Sequence, residues 1–170
     1  VLDDDGFVLT ESSAILKYLA EKTGSELYPS ELQARARVNE VMDWFNTGFY
    51  RELAYHVVYP QVFPHHKRPD DAVQQGTLDW GVKQSGFFLD VLDRHILGDR
   101  PFVAGDDKTI ADHFGAALLS SARLIGQPFD AYPNVARWFA AMRALPCWAE
   151  VNQVFDGFVG SLSERRFVCV

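Results

Sequence analysis

Residues 1–15 read VLDDDGFVLTESSAI and join two patterns of secondary structure within one short stretch. Apolar residues flank Asp5-Gly6, a pair that tolerates the positive φ angles of a tight turn, so this stretch predicts a β-hairpin over residues 1–9. From residue 11 onward the apolar spacing becomes helical, at Ala14, Ile15, Tyr18 and Leu19. A two-stranded hairpin is marginal alone in water. We therefore expect this hairpin to belong to a larger sheet and the chain to begin inside a longer protein.

Two long helices are predicted after this first one. The first begins at a capping box formed by Ser30 and Gln33 and ends near Val58, before a proline-rich loop over residues 60–69. The second extends over residues 71–97. Glycines are costly inside a helix, so those of the second helix suggest close helix packing at Gly76, Gly81 and Gly86.

Three shorter helices are predicted in the remaining sequence, starting at Thr109, Pro133 and Pro146. Thr109 and Asp112 have the spacing of a capping box, in which each side chain bonds backbone N–H groups at the helix start. This spacing explains the Asp112 carboxylate without a substrate, so we interpret both residues as structural. The predicted fold class is mainly α, with a hairpin and one helix followed by a bundle of five helices.

The composition excludes several classes of protein. Of 170 residues, 48% are hydrophobic and 23% charged, as in globular proteins, and the net charge of −7 disfavours nucleic acid and anionic membranes as partners. No apolar run approaches the length of a membrane span, and residues 1–5 do not resemble a signal peptide. Two cysteines form no disulfide framework, and the pair His65-His66 lacks further ligands, so we expect a cytoplasmic protein without a metal.

Four local patterns together resemble the glutathione transferase superfamily. The first is the opening stretch, in which a hairpin leads through Glu11-Ser12 into a helix. The others, in chain order, are Leu27-Tyr28-Pro29, then Val103-Ala104-Gly105 with Thr109-Ile110-Ala111-Asp112, and then Tyr132-Pro133-Asn134-Val135 with Trp138, Met142 and Pro146. The stretch Phe49-Tyr50-Arg51-Glu52-Leu53 with Tyr59-Pro60 resembles bacterial, theta-like members.

The resemblance implies a division of the chain into two domains. Residues 1–24 would be the end of a thioredoxin-like glutathione-binding domain, residues 25–29 a linker, and residues 30–170 the all-helical domain. The family's catalytic Ser, Tyr or Cys would lie before Val1, so we expect negligible conjugating activity from these 170 residues alone. The family also places apolar residues around its capping box, where this chain has Lys108 and His113.

The same resemblance implies a glutathione site at Glu11 and Ser12. In relatives, the matching serine hydroxyl and N–H bind the γ-glutamyl carboxylate, and the acidic residue contacts the same γ-glutamyl portion. A helix start suits a carboxylate because its N–H groups lack partners. The alternative is that both residues are ordinary helix-start residues.

A hydrophobic-substrate pocket is expected along the first long helix, lined by aromatic residues. The candidates are Trp44, Phe49 and Tyr50, with Phe45 and Tyr55 on the same stretch. The alternative for this face is core or dimer seam, because aromatic residues at helical spacing are typical of both.

The predicted function is that of a glutathione transferase. By resemblance, the full-length protein would be a homodimer that conjugates the glutathione thiolate to hydrophobic electrophiles. Two alternatives remain at this point: a non-catalytic binding or assembly module of the same fold, and a helical scaffold that does not contact glutathione. The first alternative depends on the residue at the family's catalytic position, and the second predicts no retention on immobilised glutathione.

Overall fold

The computed structural model describes residues 1–170 and begins with the hairpin that the sequence predicts. Strands β1 (Leu2–Asp4) and β2 (Phe7–Leu9) pair antiparallel, with Leu2 opposite Leu9. Asp5 and Gly6 form the turn with φ angles of 51° and 90°. The positive φ at both residues matches the twist of the strands, which explains the choice of Asp-Gly at this position.

Seven α-helices follow the hairpin. They are α1 (Ser12–Lys22), α2 (Leu32–Trp44), α3 (Tyr59–Val62), α4 (Asp71–Val91), α5 (Ile110–Leu119), α6 (Pro133–Arg143) and α7 (Trp148–Ser161). Wider π-helical segments cover Phe45–Phe49, Arg51–Val58 and Leu92–Leu97, and 3₁₀ turns cover Pro64–His66 and Ser120–Ile125. None of these helices combines the length and the apolar character needed to cross a bilayer. The mainly α fold class is therefore confirmed.

The first long helix differs from its prediction at both ends. Its N-cap is Glu31 rather than Ser30, because the Glu31 carboxylate accepts the N–H groups of Gln33 and Ala34 at 3.0 and 2.7 Å. A charged acceptor that satisfies two donors is stronger than one hydroxyl. The predicted capping box of Ser30 and Gln33 is thus wrong.

At its other end, this helix continues through Pro60 to Val62 instead of stopping near Val58. The Tyr59 N–H bonds the carbonyl five residues earlier, whereas the Phe63 N–H bonds Tyr59, four residues earlier. Pro60, which has no N–H, lies where the backbone hydrogen bonds change from a spacing of five residues to one of four. A proline therefore interrupts this helix less than its usual effect predicts.

Aromatic side chains form the centre of the core. Phe45, Phe49 and Trp138 have almost no exposed surface, and the rings of Phe45 and Trp138 stack with centroids 6.2 Å apart. Helix α5 approaches this cluster through Gly115, where an added Cβ would lie 2.4 Å from the Phe45 ring. Close packing against an immobile ring therefore requires glycine at this position.

We expect Gly115→Ala to lower the free energy of unfolding by about 1–3 kcal/mol, because overpacking of the Phe45 ring outweighs the better helix propensity of alanine. Gly76→Ala is the matched control, since a Cβ at Gly76 in α4 would meet nothing within 4 Å. This control should be stabilising by about 0.5–1 kcal/mol. Urea denaturation measures both, and equal effects of the two substitutions would contradict the packing argument.

Only one of the three glycines of the second long helix makes the expected close approach. A Cβ at Gly81 would lie 2.7 Å from His56 Cβ and 2.9 Å from the His56 backbone carbon. At Gly86 the nearest atom would be at an ordinary 3.6 Å, and Gly76 is open. Helix α4 therefore crosses the Arg51–Val58 segment at Gly81.

The chain ends in an extended tail that two glutamine side chains bind. The Gln61 amide donates to the Val168 carbonyl and accepts the Val168 N–H, at 3.1 and 2.8 Å. Gln127 bonds Val170 in the same two-way manner, at 3.2 and 2.7 Å. The sequence pattern assigns no secondary structure from Asp156 onward, whereas residues 156–161 complete α7 and the partners of the extended part are far away in the chain.

Candidate functional site

The start of α1 has an unusual backbone geometry. Glu11 is the N-cap with φ 64° and ψ 111°, and its side chain makes no capping hydrogen bond. The first helical bond runs from the Ile15 N–H to the Glu11 carbonyl at 2.9 Å. The N–H groups of Ser12, Ser13 and Ala14 therefore have no acceptor within the helix.

Two physical properties make this helix start a candidate binding site. A non-glycine residue outside the preferred backbone regions stores strain of about 1–3 kcal/mol, and such residues concentrate at functional sites. The unbonded N–H groups and the helix dipole together favour an anion. Glu11 and Ser12 are both exposed, so a carboxylate ligand can reach them.

Glu11 lines an open cleft of about 460 Å³ between α1 and the first long helix. The other wall is formed by Asn46, Tyr50, Arg51 and Tyr55. These residues lie in and around the two π-helical segments, which widen the helix at this point. Segments of this kind are frequent at functional sites.

The structure separates the predicted aromatic pocket residues. Tyr50 lies at the cleft, together with Tyr55, whereas Phe49 is fully buried in the core. Trp44 stacks on Phe49 at 5.6 Å and lines a different cavity, of about 250 Å³. Neither Phe49 nor Trp44 is among the residues that line the cleft, because these two positions occupy the side of the helix that packs on the core.

Tyr50 is the most buried of the polar groups in the cleft wall. Its hydroxyl forms a short hydrogen bond with that of Tyr59, and its ring packs edge-on against Tyr55 at 5.8 Å. Burial raises the pKa of Tyr50 above its ordinary value, and the hydrogen bond to Tyr59 raises it further. Tyr50 is therefore a neutral phenol at physiological pH.

Thr109 and Asp112 form the predicted capping box at the start of α5. The Asp112 carboxylate accepts the Thr109 N–H at 2.8 Å, and the Thr109 hydroxyl accepts the Ala111 N–H at 3.3 Å. Asp112 also accepts the Val103 N–H and the Trp138 indole N–H, both at 2.9 Å. All of these contacts are buried, so the box is structural.

His113 stands where a relative of the resembled family would have an apolar residue. Its side chain is half-buried, and burial, followed by the nearby Lys108, lowers the pKa of its imidazole. The buried Nε2 of this imidazole has no hydrogen-bond partner.

The chain is similar to known proteins in both sequence and fold. The sequence model of the glutathione S-transferase C-terminal domain matches residues 66–146. Human glutathione S-transferase theta-2 is 32% identical over 175 residues, covering 96% of this chain and 67% of the relative. The chain belongs to the glutathione S-transferase family. The resemblance stated from the four sequence patterns is therefore confirmed.

Solved glutathione S-transferase structures share this fold. The apo form of human glutathione S-transferase T1-1 has a TM-score of 0.76 at 28% identity, covering 97% of this chain and 70% of that one. A theta-class glutathione S-transferase from Xanthomonas axonopodis pv. citri, solved with glutathione bound, has a TM-score of 0.70 at 26% identity, with coverages of 86% and 68%.

Two cleft residues of this glutathione S-transferase were missed by sequence reasoning. Asn46 and Arg51 are exposed polar residues on a long helix, a pattern typical of a solvated face. Their position in the sequence could have indicated the cleft. Asn46 lies four residues before Tyr50, and Arg51 lies four residues before Tyr55. Residues four apart share a helix face, so the candidates Tyr50 and Tyr55 place Asn46 and Arg51 beside them.

Proposed function

We propose that the full-length protein is a glutathione transferase that binds glutathione at the start of α1. The γ-glutamyl carboxylate accepts hydrogen bonds from the Ser12 hydroxyl and backbone N–H, and Glu11 contacts the amino group of the same γ-glutamyl portion. The observation that carries this proposal is the strained Glu11 backbone beside three unbonded N–H groups. Membership of a family with glutathione-bound structures supports the choice of ligand.

The reaction assigned to the protein is nucleophilic substitution by the glutathione thiolate. Sulfur attacks an electrophilic carbon and forms a C–S bond, a leaving group such as chloride departs with its electron pair, and the thiol proton goes to solvent. A lowered thiol pKa increases the reactive fraction at neutral pH. We assign the hydroxyl or thiol that stabilises the thiolate to a residue outside the 170 described here.

The electrophile is assigned to the cleft between α1 and the widened part of the long helix. Residues 1–24 then form the end of the glutathione-binding domain, residues 25–29 the linker, and residues 30–170 the helical domain. A hydrogen bond from the Ile110 N–H to the Leu27 carbonyl, at 2.9 Å, joins this linker to α5 of the helical domain.

We further propose a cytoplasmic homodimer packed through the two long helices. Three exposed apolar residues, Val73, Trp80 and Phe87, are spaced seven residues apart on α4. This spacing keeps them on one face of the helix, where a second copy of the chain would cover them.

Retention on immobilised glutathione, together with turnover of 1-chloro-2,4-dinitrobenzene, tests the proposed function. We expect the full-length protein to be retained, to elute with free glutathione, and to release chloride as the conjugate forms. A column bearing cysteine alone is the control, and it should not retain the protein. Binding without turnover would support the non-catalytic module instead, and absence of binding would contradict both functions.

A further inference from the structure

Three carboxylates are buried in this protein, and only one of them is not explained by helix capping. Asp112 caps α5 as described, and Asp93 accepts the N–H groups of Asn134 and Val135 at the start of α6, at 2.7 and 3.0 Å. Glu52 lies inside a helical run and accepts no backbone N–H. Its burial therefore serves a purpose other than helix capping.

Glu52 accepts three side-chain donors, one of which extends into the cleft. Its Oε2 accepts His56 Nδ1 at 2.8 Å and Trp80 Nε1 at 3.1 Å. Its Oε1 accepts Arg51 Nε at 2.9 Å. Both oxygens of the buried Glu52 carboxylate already accept hydrogen bonds. Glu52 therefore holds the Arg51 side chain through Nε and leaves the Nη groups of the guanidinium unbonded.

The outer end of the Arg51 guanidinium remains available to a ligand. The side chain is 63% exposed, its Nη1 and Nη2 groups have no acceptor in the protein, and Arg51 lines the same cleft as Glu11. An arginine with a fixed Nε and two free Nη groups presents a fork that matches a carboxylate. Of the other cleft residues, Asn46, Tyr50 and Tyr55 are neutral and Glu11 is an anion assigned to the glutathione amino group, so Arg51 is the single cation of the cleft wall.

We propose that Arg51 determines electrophile specificity by binding a carboxylate of the second substrate, with Glu52 as its positioning residue. The preferred electrophiles are then aromatic or alkyl compounds that carry a carboxylate, rather than purely apolar ones. This inference rests on the proposed function. The neutral rings of Tyr50 and Tyr55 contact the apolar part of such a substrate, and Arg51 fixes its charged end.

The test compares two electrophiles that react in the same way and differ only by a carboxylate, 2-chloro-1,3-dinitrobenzene and 4-chloro-3,5-dinitrobenzoate. In Arg51→Gln of the full-length protein, we expect kcat/KM for the benzoate to fall about tenfold or more, as for loss of a hydrogen bond to a charged group. The ratio of this value to kcat/KM for the neutral compound should fall by the same factor, while the glutathione Kd stays within about twofold. Arg51→Lys, which keeps the charge but not the fork, should give an intermediate ratio.

Arg94→Gln is the matched control, because Arg94 is also an exposed helical arginine paired with a nearby carboxylate, that of Asp90 at 3.1 Å, but is not among the residues lining the cleft. Its ratio of the two kcat/KM values should equal that of the wild type. An unchanged ratio in Arg51→Gln, or a tenfold weaker glutathione Kd with that ratio unchanged, would overturn the inference and leave the proposed function intact. A wild type that neither binds glutathione nor conjugates either compound would overturn both.

Discussion

Replacing Asp112 by alanine is expected to lower the free energy of unfolding by about 3–5 kcal/mol, a large part of the stability of a domain of this size. The side chain has no exposed surface and accepts the N–H groups of Thr109, Val103 and Trp138. Each buried donor left without an acceptor costs about 1–3 kcal/mol. The truncation therefore leaves three such donors in one place and also removes the cap of α5.

Two further variants separate this loss from a general effect of surface charge. Asp112→Asn keeps the side-chain volume and one acceptor oxygen but places an NH₂ group against buried donors, so its stability should lie between those of alanine and wild type. Asp107→Ala removes an exposed carboxylate from the preceding loop and should stay within about 0.5 kcal/mol of wild type. Urea denaturation gives all three values. A loss below about 1 kcal/mol for Asp112→Ala would contradict the stabilising role of its three buried hydrogen bonds.

The features that the sequence predicted correctly depend on neighbouring residues. The turn of Asp5-Gly6 and the box of Thr109 and Asp112 are each defined within four residues, and backbone chemistry alone specifies them. The order of four such local patterns also sufficed to indicate the family. These patterns did not predict how many hydrogen bonds the Asp112 carboxylate accepts. Its donor Trp138 is distant in the chain and lies beside Asp112 only in the folded protein.

The cleft was harder to predict because helix geometry defines it. Adjacent residues of a helix point about 100° apart, so Phe49 lies in the core while its neighbour Tyr50 lies at the cleft. Hydrophobic spacing does not distinguish a widened turn from a regular one. Of the three predicted aromatic residues only Tyr50 lines this cleft, and the polar Arg51 beside it was not predicted.

Contacts between distant residues account for the remaining differences. Glu52 meets Trp80 across 28 residues, and Gln61 meets Val168 across 107. Neither contact leaves a periodic pattern in the sequence. The buried Glu52 in particular resembles an ordinary surface glutamate until helix α4 is placed against it at Gly81.

Ser12→Ala is expected to weaken glutathione binding by about 10–100-fold, since a hydrogen bond to a charged group contributes about 1.5–3 kcal/mol. The variant removes the hydroxyl donor and keeps the helix start and its backbone N–H groups. Ser13→Ala is the matched control, because Ser13 is the next residue of the same turn and is not assigned to the ligand. Its affinity for glutathione should stay within about twofold of wild type.

The dissociation constant of glutathione, measured by titration calorimetry on the full-length protein and these two variants, tests the central claim most directly. A Kd raised at least tenfold in Ser12→Ala and unchanged in Ser13→Ala would place the γ-glutamyl carboxylate at the tip of α1. Equal dissociation constants for Ser12→Ala and wild type would show that the tripeptide binds elsewhere, and the strained Glu11 backbone would then need another explanation.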